Sequence, residues 1–275
     1  MTVSNSAGIV TATAVLTVNP LAITLPNGSL PLAMKPISSG SFTMGDDDIA
    51  PPAHSGTLSQ NFYMGTYLVT QAQWLAVMGN NPSQFTGDAQ RPVEQVSWDD
   101  CQSFCKQLNA RFAALGARLP TEAEWEYACR AGTTSAYNDG STCTKPDGHD
   151  PALEKLGWFD KNSDNTTHPV GEKQPNKWGL HDLHGNVFEL CSDWFGDYSE
   201  TEQHDPKGPI EGRGRVIRGG GWSGRAQLCR SAYRSRVGPG FRRNFLGFRL
   251  AAVQSSEPSK QGVRSSSGGA SRSGA

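Results

Sequence analysis

Three helix-start signals lie close together in this 275-residue chain, and they set the limits of its helical part. Thr70 and Thr121 each stand three residues before a Gln or Glu, which is the spacing of a capping box. Ser97 stands before two acidic residues, which suit the positive end of a helix. Apolar residues then recur at helical spacing. The pattern predicts three helices, at about 70–79, 98–115 and 121–131.

The stretch from residue 140 to residue 214 carries a different signature. Pro, Gly, Asn and Asp interrupt it at short intervals, which is typical of loops. Trp158, Trp178 and Trp194 supply aromatic surface that can anchor long loops by burial. The sequence therefore predicts an α+β fold with few helices, short strands and long ordered loops. Strand candidates lie at 186–191, 215–218 and 247–253.

The two ends of the chain differ from the middle. Residues 1–35 contain a strand-like run and a Pro- and Leu-containing connector, and they resemble the last strand of an immunoglobulin-like domain. A lone strand is not stable in water, so this run either pairs with the main domain or is a remnant of such a domain. Residues 254–275 are rich in Ser and Gly, which is typical of a disordered tail. The main domain is predicted to span residues 36–253.

Composition excludes several classes of protein. Lys and Arg number 25 against 26 Asp and Glu, so the chain lacks the overall positive charge of a nucleic-acid binder. No run of about 18 apolar residues occurs, so no membrane-spanning helix is predicted. The six cysteines fit neither a zinc motif nor a disulfide framework, and Cys101 and Cys105 are expected to be buried thiols. A secretion signal, if the protein is exported, is expected outside this chain.

Eight short blocks of sequence occur in order along the main domain. They read GSFTMG at 40–45, VTQAQW at 69–74, PVEQVSW at 92–98, RLPTEAEWEYA at 118–128, WGLHD at 178–182, GNVFE at 185–189, RGG at 218–220 and GFRL at 247–250. This series resembles the formylglycine-generating-enzyme (sulfatase-modifying factor) domain, which is a variant of the C-type lectin fold. The resemblance covers roughly residues 36–253 and implies that fold for the main domain.

The resemblance does not fix the function, because this fold serves at least three classes of protein. The first is a copper-dependent oxidase that converts a sulfatase cysteine to formylglycine. The second comprises the iron-dependent sulfoxide synthases of thiol-histidine biosynthesis. The third comprises the variable proteins of diversity-generating retroelements, which use the fold to bind ligands without catalysis.

The copper-dependent class requires two neighbouring thiolates, because soft sulfur ligands select Cu(I). In the family these cysteines follow a Gly-Gly-Ser-aromatic turn, and the matching residues 219–227 contain no cysteine. Cys229 is the only thiol nearby, and a lone cysteine in such a segment is more often a packing residue. The resemblance therefore implies that the copper site of the oxidase is missing.

The sulfoxide synthases take three histidine ligands for iron from a helical partner domain, and this sequence shows no such domain. His181 and His184 are three residues apart, but they lie in a predicted loop and have no third histidine close in sequence. We interpret them as surface or capping histidines. An enzyme of the formylglycine-generating or sulfoxide-synthase type with an altered metal site remains the alternative function.

The segment 218–250 mixes residues that match the family with residues that share no chemistry. The matching residues, here called the frame, are Arg218, Gly219, Gly220, Trp222, Ala226, Cys229, Arg230, Ser231, Ala232, Arg234, Pro239, Arg242 and 247–250. In the retroelement proteins, the adenines of a template repeat are randomised. An Asn codon in that template can then encode many residue types, but never Lys, Glu, Gln, Met or Trp. Residues 221–246 contain no Lys, Glu or Met, and Gln227 is an exception outside the frame. The predicted variable, ligand-binding positions are Ser223, Gly224, Arg225, Gln227, Tyr233, Ser235, Arg236, Val237, Gly240, Phe241, Arg243, Asn244 and Phe245.

Arginine dominates this part of the chain, since residues 212–256 contain ten Arg and no acidic residue. The frame arginines are expected to pair with backbone carbonyls or buried acids. Arg225, Arg236 and Arg243 are instead predicted to form an exposed face with neighbouring aromatic residues, because Arg and Tyr are enriched at binding hot spots. A nucleic-acid patch is disfavoured, since Lys is absent there.

The resemblance also implies a structural calcium site around the Asn-Val-x-Glu turn. The side-chain ligands would be Asp182 and Glu189, and the carbonyl donors Gly185 and Val187, because Ca²⁺ prefers oxygen ligands. The alternative is that Glu189 braces the loop through hydrogen bonds or an arginine. Ligand binding by the variable positions requires no cofactor.

Together these patterns predict a monomeric ligand-binding protein with a hypervariable C-terminal face, diversified by a retroelement and without catalysis. Its partner would be a protein or surface ligand rather than a nucleic acid, and its location a cell surface or phage particle. The three clusters of variable positions, at 223–227, 233–237 and 240–245, are expected to converge on one face. Tyr233, Phe241 and Phe245 are expected to be partly exposed there.

Overall fold

The computed structural model describes residues 2–5, 8–11, 21–25 and 31–253 of the chain. Four α-helices lie within these ranges: α1 (Gln71–Met78), α2 (Trp98–Arg111), α3 (Glu122–Arg130) and α4 (Pro151–Leu156). The strands are β1 (Thr2–Asn5), β2 (Gly8–Thr11), β3 (Leu21–Ile23), β4 (Leu32–Ile37), β5 (Gly40–Asp46), β6 (Ala50–Leu58), β7 (Phe62–Gly65), β8 (Ala117–Arg118), β9 (Phe188–Trp194), β10 (Gln203–His204), β11 (Arg215–Arg218), β12 (Arg234–Val237), β13 (Leu246–Gly247) and β14 (Ala251–Val253). The fold is α+β with few helices, short strands and long loops, as predicted.

The first three helices begin where the sequence predicts, because side chains satisfy their free N–H groups. The hydroxyls of Thr70, Ser97 and Thr121 each accept a hydrogen bond from the backbone N–H three residues on, and each forms a capping box. Helix α2 ends at Arg111, earlier than predicted, and a short 3-10 helix over Ala113–Leu115 follows it.

Helix α4 lies in the stretch that the sequence pattern assigns to loops. The Asp150 carboxylate caps it by accepting the backbone N–H groups of Ala152 and Leu153, and Pro151 occupies its first turn. A helix of six residues is too short to show helical periodicity. The cap and the proline are therefore the only sequence signals of this helix, and the prediction of a loop is wrong here.

The largest sheet has five antiparallel strands in the order β3-β4-β7-β14-β8. Strand β3 and the start of β4 belong to the predicted connector, so that prediction is wrong for these residues. Ile23, Leu32 and Met34 are buried in this region, which explains why the segment pairs with the domain. Strands β1 and β2 pair with each other, and the strand-like run over 12–20 lies outside the described residues.

A second sheet has the strand order β12-β11-β9-β13, and a third has the order β10-β6-β5. Strand β11 spans the four residues predicted for it, and β9 begins two residues after the predicted start. The strand predicted at 247–253 is divided between β13 and β14. The residues between them, Phe248, Arg249 and Leu250, are buried where the chain passes from the second sheet to the first.

Strand β11 separates two hydrophobic clusters. Its successive side chains point to opposite faces of the sheet, so Ile217 packs in the cluster that contains α1 and α2, and Val216 in the cluster that contains α3. Cys101 and Cys105 of α2 are buried free thiols in the first cluster, as predicted. None of the helices described is long and apolar enough to cross a membrane.

Two arginines are fully buried in this core, and each has a buried carboxylate partner. Arg249 pairs with Glu189 through two hydrogen bonds of 2.6 and 2.7 Å. Its remaining N–H groups donate to the backbone carbonyls of Gly65 and His181. Arg218 pairs with Glu126 of α3. Because each charge is both paired and hydrogen-bonded, its burial is tolerated.

The pair between Arg249 and Glu189 should be essential for stability. Glu189→Gln leaves the Arg249 charge buried without a counter-charge, and we expect the free energy of unfolding to fall by about 3–5 kcal/mol. The matched control is Arg225→Gln, which removes an exposed ion pair with Asp147 and should change stability by no more than about 0.5 kcal/mol. Urea unfolding measures both values. Equal losses in the two variants would contradict this account of the core.

Candidate functional site

The predicted variable segment forms a hairpin in the second sheet. It leaves β11, passes a glycine turn and a 3-10 helix at Ala226–Cys229, and returns antiparallel to β11 as β12. The turn requires glycine, because Gly220 has a φ of +73° and a Cβ there would lie 2.4 Å from the Cys229 Sγ. Cys229 is therefore a packing residue, and burial raises the pKa of its thiol.

Arg218 fixes the path of this hairpin from inside the core. Its guanidinium donates hydrogen bonds of 2.8–3.0 Å to the backbone carbonyls of Ser231, Ala232 and Tyr233. The same guanidinium pairs with Glu126 of α3. The predicted pairing of a frame arginine with carbonyls and a buried acid is thus confirmed here. The turn before β12 is held by contacts to its backbone.

The other frame arginines divide into buried and exposed positions. Arg234 is mostly buried and pairs with Glu122 at 2.6 Å, in agreement with the prediction. Arg242 differs, because half of its side chain is exposed. Its partner is Asp100, at 2.7 Å. Since exposed pairs contribute little, Arg242 stabilises the frame much less than Arg234 does.

Four aromatic rings cluster on one side of the second sheet. The Phe188 ring of β9 lies at the centre, 6.4 Å from the Tyr233 ring and 6.2 Å from the Phe245 ring, between centroids. Phe241 lies 6.5 Å from Phe245, and the Arg243 guanidinium lies 4.8 Å from the Phe241 centroid. Tyr233, Phe241 and Phe245 are each half-buried, as the sequence predicts.

Phe188 is a member of this cluster that sequence reasoning missed. It belongs to the GNVFE block, where its neighbour Glu189 points the other way to meet Arg249. Alternation along a strand places Phe188 on the face opposite Glu189. That alternation is the signal that could have found it.

A loop from residue 83 to residue 95 supports the variable segment from behind. The Trp222 indole N–H donates to the Asn244 carbonyl at 2.9 Å, and the Phe85 ring meets the Trp222 ring edge-on at 5.2 Å. The Asn244 side chain bonds to Gln84, and the Gln95 N–H donates to the Arg243 carbonyl. Trp222 is half-buried between this loop and the variable segment.

Not every predicted position joins the aromatic side of the sheet. Arg236 alternates with Tyr233 and Ser235 along β12, and its guanidinium lies 4.8 Å from the Phe195 ring on the opposite face. Gly224 is buried, and its N–H donates to the Gly221 carbonyl. The expectation of one common face is therefore wrong for Arg236 and Gly224.

The remaining predicted positions do not all lie together. Arg225 and Gln227 both donate to the Asp147 carboxylate, at 3.0 and 3.1 Å, instead of contacting the aromatic rings, so the expected convergence of the cluster 223–227 with the other two is not seen for them. Val237 packs partly into the core, while Ser223 and Gly240 are exposed. We call the residues on the aromatic side the variable surface: Tyr233, Ser235, Phe241, Arg243, Asn244 and Phe245.

The supporting loop contains a buried acid that the sequence did not single out. Glu94 accepts the Phe85 N–H at 2.8 Å through Oε1, and its other oxygen has no hydrogen-bond partner among the described residues. Burial raises the pKa of this carboxyl to about 7. The hint in the sequence is its position in PVEQVSW, between two valines that are buried.

The residues predicted to hold calcium have other contacts in this structure. Both Glu189 oxygens bond to Arg249, which is the bracing role that the sequence left open. Asp182 is buried and accepts the Gly171 N–H at 2.8 Å, while the Gly185 carbonyl accepts the Val187 N–H. Burial raises the pKa of Asp182 to about 6. Calcium binding at these four residues stays a prediction.

The sequence indicates that the two histidines are surface or capping residues, and the surface interpretation is wrong for His184. His184 is fully buried: its Nε2 accepts the Asn138 N–H at 3.1 Å, and its Nδ1 donates to the Cys229 carbonyl at 2.7 Å. Burial lowers its pKa to about 4, so it is neutral at pH 7. His181 is half-buried against the Lys173 carbonyl. In the part of the chain that the structure describes, no three His, Cys, Asp or Glu residues cluster as a metal site.

Known proteins share both the sequence blocks and the architecture described above. The sulfatase-modifying factor enzyme 1-like domain matches residues 27–254. The chain belongs to this family. It is 31% identical to the formylglycine-generating enzyme of Mus musculus, over 83% of this chain and 78% of the mouse protein. It is 33% identical to the chaperone protein LppX of Paenibacillus barcinonensis, over 64% of this chain and 74% of that protein.

Solved structures place this family member among proteins with a C-type lectin-like fold. Treponema denticola variable protein 1 superposes with a TM-score of 0.77 and 35% identity, covering 86% of this chain and 99% of that one. PvdO from Pseudomonas aeruginosa shares the fold, with a TM-score of 0.69 and 24% identity over 86% of this chain and all of its own. The predicted fold and family are confirmed. Since relatives include a named enzyme and a variable protein, membership alone leaves the activity open.

Titration of Glu94 should make stability depend on pH. Its pKa is about 7 in the folded protein against 4.5 for a free side chain, so folding favours its protonated form. Its contribution is therefore most favourable below about pH 4.5 and is lost as the pH rises through 7. Glu94→Gln removes this dependence, and the variant should gain stability relative to the wild type between pH 5 and pH 8.

Urea unfolding at pH 5, 6, 7 and 8 measures this effect. Glu211→Gln is the matched control, because Glu211 is exposed and its removal should leave the pH profile of the wild type unchanged. Parallel profiles for the wild type and Glu94→Gln would show that Glu94 is not the titrating group.

Proposed function

We propose that this protein is a non-enzymatic ligand-binding protein whose binding face is the variable surface, and that a retroelement diversifies this face. The observation that carries the proposal is the contrast between the two kinds of residue in one segment. Frame residues such as Arg218 and Cys229 are fully buried, whereas Tyr233, Phe241 and Phe245 are partly exposed on top of them. The partly exposed side chains can therefore change without disturbing the buried frame residues.

The chemistry of the variable surface suits recognition of a protein or another surface ligand. Large aromatic side chains and arginine dominate binding hot spots, and here Tyr233, Phe241 and Phe245 lie near Arg243. The supporting loop and the buried frame hold the backbone in place, which lowers the entropic cost of binding. A nucleic-acid ligand is not part of this proposal.

The likeness to Treponema denticola variable protein 1 favours the same conclusion, since it extends over almost the whole of that chain. By analogy, we expect a monomer displayed on a cell surface or a phage particle. The alternative is an enzyme of the formylglycine-generating type with an altered metal site. Against it stands the absence of cysteine from residues 219–227, together with the burial of Cys229 beneath Gly220.

A pair of libraries tests the binding function. One library randomises Tyr233, Ser235, Phe241, Asn244 and Phe245, and its matched control randomises five buried residues of the same segment. The control positions are Arg218, Ala226, Cys229, Ser231 and Ala232. We expect most members of the first library to resist proteolysis and some to bind lysozyme after display and selection, because their side chains do not hold the fold. Similar losses of folding in both libraries would refute the proposal.

The enzymatic alternative has a direct test of its own. The protein is loaded with Cu(I) in air and incubated with a Cys-x-Pro-x-Arg peptide, and mass spectrometry follows the peptide cysteine. A formylglycine-generating enzyme serves as the positive control. We expect no conversion, because a single buried thiol is a poor Cu(I) site. Formation of the aldehyde would establish the enzymatic alternative.

A further inference from the structure

A cleft of about 650 Å³ lies between the β5–β6 hairpin, the end of helix α3 and the turn around residue 178. It shares no residue with the variable surface. Three aromatic rings lie side by side along it: the Tyr127 ring is 5.2 Å from the Phe42 ring and 5.0 Å from the Trp178 ring, between centroids. Phe42 and Trp178 are partly buried and keep some ring surface open to solvent in the cleft.

Two polar atoms in this aromatic group lack partners. Tyr127 is 9% exposed, and its hydroxyl has no hydrogen-bond partner among the described residues, but it is not excluded from solvent, so water reaches it. The indole N–H of Trp178 likewise has no partner within the described residues and is open to solvent. Both groups are therefore available for a hydrogen bond to water or to a ligand that enters the cleft.

The rest of the cleft is polar without net charge. Thr43, Ser55 and Thr134 present exposed hydroxyls along its wall. Arg130 also reaches the cleft, but its guanidinium is buried and engaged by Glu126 at 2.8 Å. No acidic residue lines the cleft within the described part of the chain. The cleft therefore offers no counter-charge to a cation, and its one cationic side chain is already paired with Glu126.

The rings are held in place independently of any ligand. Gly40 leaves room for the Tyr127 hydroxyl, since a Cβ at Gly40 would lie 2.5 Å from it. Asn176 fixes the other side: its side-chain amide N–H donates to the Ala128 carbonyl of α3, and its side-chain oxygen accepts the backbone N–H of Trp178. Such preorganisation lowers the cost of binding.

We propose that this cleft is a binding site for a neutral carbohydrate, with the C–H face of a pyranose ring packed on Trp178 and Phe42. Pyranoses combine an apolar face with edge hydroxyl groups that both donate and accept hydrogen bonds. The Tyr127 hydroxyl and the threonine and serine hydroxyls of the wall both donate and accept as well. Amphipathic aromatic side chains provide the matching apolar surface.

Two other ligands fit the cleft less well. A quaternary ammonium group binds aromatic faces through its charge, and here the nearest ionised side chain is the cation Arg130. A proline-rich peptide also docks on aromatic rings, but its backbone offers mainly carbonyl acceptors. The wall hydroxyls would then be used only as donors. A sugar uses both their donor and acceptor capacity.

The site would be constant in a protein whose other face varies. Nothing in the cleft belongs to the segment 218–250, so diversification would leave it unchanged. A fixed affinity for a glycan and a changing affinity for a second ligand would then reside in one domain. This inference does not depend on the function proposed for the variable surface.

Isothermal titration of the full chain with cellohexaose, chitohexaose and maltoheptaose tests the proposal. We expect at least one of them to bind with a Kd below about 1 mM. Trp178→Ala should weaken that binding at least about tenfold, and Tyr127→Phe, which removes only the unpartnered hydroxyl, about threefold or more. Leu75→Ala removes an exposed apolar side chain of α1 outside both candidate sites; it is the control and should leave the Kd unchanged.

Thermal unfolding of each variant accompanies the titrations, so that a loss of binding is not confused with a loss of folding. Tyr127→Phe keeps the ring and its packing, and it remains informative even if Trp178→Ala is unstable. The proposal is overturned if none of the three sugars binds at about 10 mM. It is also overturned if Trp178→Ala and Tyr127→Phe bind like the wild type, or if a deca-proline peptide binds and the sugars do not.

Discussion

The carboxylate of Glu126 is the contact on which much of the remaining structure depends. It is fully buried on helix α3 and is shared by two arginines, Arg130 and Arg218. One of its oxygens also accepts the Gly45 N–H of strand β5 at 3.0 Å. A buried carboxylate is costly unless several donors surround it, and this one has them. Through these donors a single side chain joins the β5–β6 hairpin, helix α3 and the strand that leads into the variable segment.

This arrangement connects the two candidate sites without making them one. Arg218 extends from Glu126 toward the turn before β12, under the variable surface. Arg130 extends from the same carboxylate toward the wall of the aromatic cleft. Both sites thus rest on the same buried ion-pair network. Ligands bound at either site would meet surfaces whose positions are set by the same buried group.

Features that depend on a few neighbouring residues could be predicted from the sequence. The capping residues Thr70, Ser97 and Thr121 gave the starts of three helices, and the apolar run at β11 gave its strand. Features set by contacts distant in sequence could not. The sequence identifies Arg236 as exposed, but only the pairing of β12 shows that it faces away from Tyr233. In the same way, the burial of His184 and Glu94 follows from segments that pack over them.

The frame contacts of the variable segment are made largely to backbone groups. Trp222 bonds to the carbonyl of residue 244, Gln95 holds the carbonyl of residue 243, and Arg218 reaches the carbonyl of residue 233. A carbonyl is present whatever side chain a codon specifies. These contacts would therefore persist if the side chains at the positions they hold were changed. If the segment is diversified as proposed, the same backbone contacts would serve every version of the variable surface.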